Sequence, residues 1–357
     1  MDRAICIHGH FYQPPRENPW LGEVEVQRSA APYHDWNERV AAECYAPNTA
    51  ARILDAEGVI VEVVNTYSRI SFTAAPTLLS WLERHRPGVY KAVIDADLES
   101  RERYAGHGSA IASCYNHLIM PLATREDKRT QIAWGVRDFA ARFGREPEGM
   151  WLPETAVDIE SLDLMAEAGI RFTILAPHQA GKVRAIGTDG WTDVSGGRVE
   201  TRMPYLCRLP SGRSIAIFFY NGAIARDVAF GDLLSDGRRF AGRLLGAFSR
   251  GGKRPELVHI ATDGETYGHH RKFGEMALAY CLRAIEAQDD ARLTVYGEYL
   301  TAHPPTHEVV IQERTSWSCT HGVERWRREC GCHSGAHPGW SQAWREPLRE
   351  AVDMVRD

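Results

Sequence analysis

Apolar positions in this chain fall into short runs, and polar or charged residues gather just after most of them. Arg3 to Ile7 forms an apolar strand that ends at His8-Gly9-His10-Phe11-Tyr12-Gln13-Pro14-Pro15, where the prolines exclude helix. The chain to about Ala42, containing Pro and Trp, reads as a long loop, and loops of that length in compact domains tend to be functional. Glu43 to Ala56 reads as helix. Val59 to Val64 is a continuous apolar run of the kind shown by buried parallel strands, and helices are expected over Pro76 to Arg86 and Val89 to Tyr104. Ser109 to Ser113 is a small-residue strand followed by Cys114-Tyr115-Asn116-His117. Thr124 to Phe143 has helical spacing, Met150-Trp151-Leu152-Pro153-Glu154 closes a short strand, and Asp158 caps a helix running to Ala168. Phe172 to Leu175 leads to His178, Gly181 to Pro210 reads as an insertion with irregular hairpins, and Ser214 to Tyr220 is a strand ending at Asn221-Gly222. After a helix to about Ser249, Glu256 to Ala261 is a strand ending in Thr262-Asp263-Gly264-Glu265-Thr266-Tyr267-Gly268-His269-His270. Helix then covers Phe273 to Ala287, and Val309 to Gln312 is one more strand.

Alternating strands and helices with polar groups past the strand ends predict an α/β barrel or a doubly wound sheet, with its site at the strand C-termini. The barrel is favoured. Residues 1–340 are expected to form it, with the insertion near 181–210 and a wall rich in Cys, His and Trp at 316–340. Residues 341–357 read as an amphipathic helix with Trp344, Leu348, Val352 and Val355 on one side. That stripe has nothing after it to cover, so the segment reads as the truncated beginning of a C-terminal helical region.

Composition narrows the class. A chain of 357 residues, 44% hydrophobic and 25% charged, can bury a barrel-sized core. Its net charge of -5 offers no attraction to nucleic acid or an anionic membrane, so neither is an expected partner. The first apolar run is too short for a signal sequence or a membrane span, and a cytoplasmic location is expected. Five of the eight cysteines, Cys6, Cys44, Cys114, Cys207 and Cys281, sit among apolar neighbours, as reduced thiols do. No G-x-G-x-x-G or Walker loop is present, and no cofactor is expected.

Glu154 and Asp263 end different strands. Two carboxylates so placed are what glycosidic cleavage needs, one as nucleophile or base and the other to protonate the leaving oxygen. Taken singly, Glu154 also suits a solvated loop, and Asp263, next to a glycine, suits a turn.

His8 to Pro15, Asn116-His117 with Pro121, Trp151-Leu152-Pro153-Glu154 and Thr262 to His269, in that order, resemble the motif series of glycoside hydrolase family 57. The resemblance covers roughly the first 340 residues and implies an incomplete (β/α)₇ barrel, a retaining mechanism and an α-glucan or oligosaccharide substrate. Within it, Glu154 is similar to the nucleophile and Asp263 to the acid/base. His10 and His117 are similar to sugar-binding or nucleophile-supporting residues, and His8 and His269 are expected to line the same floor. Asn116 suits sugar hydroxyls, while Trp151, Tyr220 and Trp317, with Trp20, are candidates for stacking on sugar rings. Hydrolysis, transfer and branching stay open because Ser316 to His333 departs from the family's branching enzymes and glucanotransferases, and the sequence leaves the oligomeric state open as well. Two other readings are a metal-dependent polysaccharide deacetylase or mannosidase, using His8, His10 and Asp263, and a non-catalytic glycan-binding barrel. Cys319, His321, Cys330, Cys332 and His333 are zinc-ligand types without the usual spacing. They are read as a packed, reduced loop holding no metal.

Overall fold

The computed structural model describes residues 2–252, 254–332 and 339–356. Among the described residues, seven parallel strands taken in chain order carry the architecture, β1 (Arg3–Phe11), β2 (Ser71–Ala74), β3 (Ala112–Ser113), β4 (Met150–Trp151), β5 (Phe172–Leu175), β6 (Ser214–Phe219) and β7 (Glu256–Asp263), and a further short strand, Arg292–Leu293, pairs in parallel with the start of β1. Ladders join β7 to β1, β1 to β2, β3 to β4 and β5 to β6. Single bridges, Phe72 with Ala110 and Gly149 with Phe172, connect these pairs in chain order. Between β6 and β7 there is no ladder among the described residues. The Asn221 N–H donates to the His259 carbonyl at 2.8 Å across that seam. The fold is therefore mixed α/β, with strand C-termini on one side and ladders that do not close.

Strands covered on both faces read as unbroken apolar runs, and β1 and β7 are buried over nearly their whole length. The helices between them start where short polar side chains can take up free N–H groups. Thr124 accepts from the Asp127 N–H to open Arg125–Phe143, and Asp158 accepts from the Ser161 N–H to open Ile159–Glu167. Each such helix returns the chain across the outside of the sheet, so successive strand ends face the same way.

Two expectations need correction. The helical stretch begins earlier than Glu43, at Trp36 behind an Asp35 cap, and ends at Thr49. Ala51–Leu54 and Ile60–Val64 then form an antiparallel hairpin, so Val59 to Val64 is not a buried parallel strand; Val59, Ile60, Val61 and Val63 are exposed. The turn decides this, since Asp55 Oδ1 accepts from the Glu57 and Val59 N–H groups and Gly58 takes a positive φ of 80°. The end of β1 pairs in parallel with β2 on the side away from β7, and β2, with only four residues, is too short to stand out by periodicity.

Ala180–Ala185 and Thr192–Asp193 form a hairpin, and Tyr205–Arg208 pairs antiparallel with β6 and parallel with His307–Ile311. Arg345–Arg356 is helical with no buried residue. Trp344, Leu348, Val352 and Val355 are exposed, and Arg349 reaches the Leu122 carbonyl. Among the described residues no helix is long and apolar enough to cross a membrane.

Candidate active site

Pro153 ends β4 and forces a single tight turn, Pro153–Thr155. Within it Glu154 (φ 59°) and Thr155 (φ 49°) occupy the left-handed region, which costs a non-glycine residue roughly 1–2 kcal/mol. Such strain persists where surrounding bonds over-determine it. Here Thr155 is fully buried and donates from Oγ1 to Gln179 Oε1 at 2.8 Å, while Gln179 Nε2 donates back to the Thr155 carbonyl at 2.8 Å. The Glu154 carbonyl accepts from the Trp317 N–H at 3.0 Å. The side chain is held as firmly: Glu154 Oε2 accepts from Trp317 Nε1 at 3.0 Å and from Ser318 Oγ at 2.6 Å.

Asp263 ends β7, in register with His10 of β1. Its carboxyl is open to solvent on one side, and among the described residues no hydrogen bond reaches it. Protein packed around its other sides strips water from it, and the Glu154 charge repels its own, together raising its pKa to about 6. Tyr220, just past β6, is tied to the same place: burial and the Asp263 charge both push its phenol upward. The ends of β4, β6 and β7 thus converge. Next to Asp263, Gly264 lets the chain pack tightly on β1, since a Cβ there would lie 2.3 Å from the Phe11 ring.

Beneath the carboxylates lies a floor of stacked rings. Trp151, with no exposed surface, is sandwiched between His8 (centroids 4.9 Å) and His10 (5.2 Å). His10 Nε2 lies 3.3 Å from His117 Nε2, and Tyr12 stacks on His117 at 4.0 Å. Both nitrogens of His8 have partners, Ser71 Oγ at 3.0 Å and Thr73 Oγ1 at 3.3 Å. Burial lowers the pKa of His8 to about 3, lowers His10 well below the usual range with help from His117 and His8, and lowers His117 against the pull of Glu154. At neutral pH these are uncharged plates. Trp317 stands edge-on to Trp151 at 5.1 Å and to Tyr220 at 6.4 Å, forming a wall over the floor.

A family model described as glycosyl hydrolase family 57 matches residues 9–312. The chain belongs to glycosyl hydrolase family 57. Over 52 residues, 14% of this chain and 8% of the relative, it is 42% identical to a 1,4-alpha-glucan branching enzyme of Thermococcus kodakarensis. Its fold is similar to that of the 4-alpha-glucanotransferase from Thermococcus litoralis (TM-score 0.64, 18% identity, covering 100% of this chain and 46% of that one). It is also similar to that of a maltose-forming amylase from a Pyrococcus species (TM-score 0.68, 14% identity, 99% and 64%). The chain spans less than half the length of that glucanotransferase.

In this family 57 chain the structure brings together Glu154, Asp263, His10, His117, Tyr220 and Trp317. Two members of the expected sugar-contacting set, His8 and Trp151, have no exposed surface and lie one layer below it. Asn116 is exposed, its N–H donating to Gln131 Oε1 at 2.7 Å. His269 does not join the carboxylates. Its Nδ1 pairs with Glu43 and its ring meets Trp36 edge-on at 5.9 Å, because Gly268 (φ 141°) lets the chain pass against the Glu43 backbone. Trp20 is exposed on the Pro- and Trp-containing loop.

Two residues of the site escaped the reading of the sequence. Glu265 is buried two positions after Asp263, its Oε1 accepting from the Tyr12 N–H at 2.9 Å and the Tyr45 hydroxyl at 2.6 Å. Burial, with a contribution from the Asp263 charge, raises its pKa to about 8. The paired acids of Asp263-Gly264-Glu265 were the available signal. Ser318 had none, since nothing local marks a serine 164 residues from its partner.

In the Cys/His segment the cysteines are free and lie close together. Cys319, His321, Cys330 and Cys332 bring their ligand atoms within 4.8 Å of one another. His333 lies outside the described residues.

Proposed function

We propose that the protein is a retaining glycoside hydrolase or transglycosylase acting on α-glucans through a covalent glycosyl-enzyme intermediate. The observation that carries this reading is the carboxylate pair: Glu154 and Asp263 end different parallel strands and couple electrostatically, and Asp263 is raised to about 6. An acid/base that begins protonated beside a carboxylate nucleophile needs that difference.

In the first step Glu154 attacks the anomeric carbon, the glycosidic C–O bond breaks, and Asp263 gives its proton to the leaving oxygen. In the second, Asp263, now ionised, takes a proton from water or an acceptor hydroxyl, which displaces Glu154 with a second inversion. Trp317 Nε1 and Ser318 Oγ hold the attacking carboxylate in one orientation, and the neutral ring floor keeps charge from competing with either carboxyl. Positioning of this kind lowers the entropic part of the barrier. Family membership and the run of seven parallel strands with an unladdered seam support the incomplete (β/α)₇ barrel as the scaffold.

A metal-dependent deacetylase or mannosidase would need His8, His10 and Asp263 to converge on one ion. Both His8 nitrogens are engaged by hydroxyls of β2, which argues against it. The decisive test is incubation with maltooligosaccharides and glycogen, with NMR of the first-formed anomer and product sizing. An α product is expected. Shorter products mean hydrolysis, longer ones transfer and new branch points branching, while a β product would overturn the mechanism.

A further inference from the structure

We infer that Cys319, His321, Cys330 and Cys332 form a structural zinc site that fastens the wall carrying Trp317 and Ser318 over Glu154. Metal binding stands on its own geometry, and only its consequence for Glu154 rests on the proposed function.

The argument begins with distances. A tetrahedral ion with Zn–S bonds near ~2.3 Å and a Zn–N bond near ~2.0–2.1 Å sets its ligand atoms about 3.8 Å apart for sulfur pairs and about 3.5 Å apart for sulfur with nitrogen. Here Cys319 Sγ lies 3.9 Å from Cys330 Sγ and 3.8 Å from Cys332 Sγ, and Cys332 Sγ lies 3.4 Å from His321 Nδ1. Cys319 Sγ to His321 Nδ1 is 3.9 Å. A disulfide needs sulfurs about 2.05 Å apart, so none is formed in this arrangement. Ordinary packing can bring one thiol pair together, but it gives no reason for three thiols and one ring nitrogen to share one centre. Three soft sulfurs with one imidazole in a closed tetrahedron are the donors of structural zinc.

The chain around the cluster explains what the ion would do. Residues 314–323 are tied to the body, the Arg314 N–H donating to the Val157 carbonyl and the Val157 N–H to the Thr315 carbonyl, and the stretch is closed on itself by Ser316 Oγ donating to the Gly322 carbonyl. Cys319 and His321 sit on this tied stretch, directly after the two donors to Glu154. Cys330 and Cys332 come from beyond the turn Glu324–Trp326. An ion bridging the two closes a loop of 319–332 by four bonds where the apolar core supplies little, since only Cys319 of the four ligands is buried. Closing a loop removes freedom from its open states, as a cross-link does.

The full chain as purified should carry one zinc per molecule that survives dialysis without chelator. Cobalt replacing it should show thiolate-to-cobalt charge transfer and the intense visible bands of a tetrahedral site, and X-ray absorption should give three sulfurs and one nitrogen. Cys330→Ser and Cys332→Ser, which touch neither carboxylate, should each lose stoichiometric metal and become more sensitive to proteolysis within 314–332. Because the cobalt spectrum is read on the unaltered protein, a variant that fails to fold does not hide the answer. Iron in place of zinc, a Cys319–Cys330 or Cys319–Cys332 disulfide in non-reduced peptide maps, or reactive thiols with no metal uptake would each overturn the proposal. If metal binds but its removal leaves kcat and KM unchanged, the site stands and its link to Glu154 falls.

Discussion

Glu154 and Asp263 leave strands of one parallel system, yet the protein treats them in opposite ways. Glu154 sits on a strained left-handed turn and is gripped by two donors, both from a segment more than 160 residues away. Asp263 follows a regular strand, accepts no hydrogen bond among the described residues, and is shaped by what surrounds it: packed atoms on most sides and the charge of Glu154. One carboxylate is controlled by contact and the other by environment. In the proposed mechanism the first must not move and the second must change protonation twice, so the difference matches the two tasks.

Removing the gripped member should do most damage. Glu154→Gln is expected to lower kcat on the order of 10⁴-fold or more with the fold retained, as loss of a nucleophile does. Retained turnover with unchanged circular dichroism would break the comparison. Asp263→Asn should cost about 10² to 10⁴-fold, the usual share of a general acid/base. With an aryl glycoside whose leaving group needs no proton, added azide should restore turnover and give a glycosyl azide of retained configuration. In the unaltered enzyme the rate should fall as pH rises through about 6, where Asp263 loses its proton, and a profile flat across that region would remove Asp263 as the acid.

Ser318→Ala deletes one of the two bonds to Glu154 Oε2. A bond to a charged group is worth about 1.5–3 kcal/mol, so kcat should drop roughly 10- to 100-fold with KM little changed. An unchanged kcat would mean that the grip on Glu154 is not part of its work. The smallest effect concerns stability. Because the folded state raises Asp263 from 3.8 to about 6, it binds the proton more tightly than the unfolded chain does. The native protein therefore loses that advantage as pH rises through about 6. Asp263→Asn should melt above the unaltered protein at pH 8, with the gap closing below about pH 4. A variant less stable at pH 8 would show that Asp263 has a supporting contact.

Much of this was legible because the polar clusters follow the strands that carry them. His10, His117, Glu154, Tyr220 and Asp263 stand at or just past strand ends, with His8 inside β1 because that strand runs on to Phe11, and a parallel α/β arrangement puts those ends on one side whatever the loops do. His269 shows the limit of that reasoning: it belongs to the same polar cluster after β7 as Glu265, but the turn after Gly264 sends it to Glu43. Val59 to Val64 shows another, since an apolar run cannot say whether it will be covered, and here the Asp55–Gly58 turn folded it into an exposed hairpin.

By itself, then, the sequence determined the alternation of strands and helices, the two carboxylates and the aromatic and imidazole groups near them. All of these are carried by local periodicity and by ordered motifs within short stretches. Only the tertiary structure decided which group faces which. Trp317 and Ser318 reach Glu154, Glu265 disappears beneath Tyr12 and Tyr45, and Cys319, His321, Cys330 and Cys332 gather around one point. The reason is range: propensity and spacing act over a few residues, whereas the field at a carboxylate and the partners of a thiol are set by atoms that the chain brings back from far along its length.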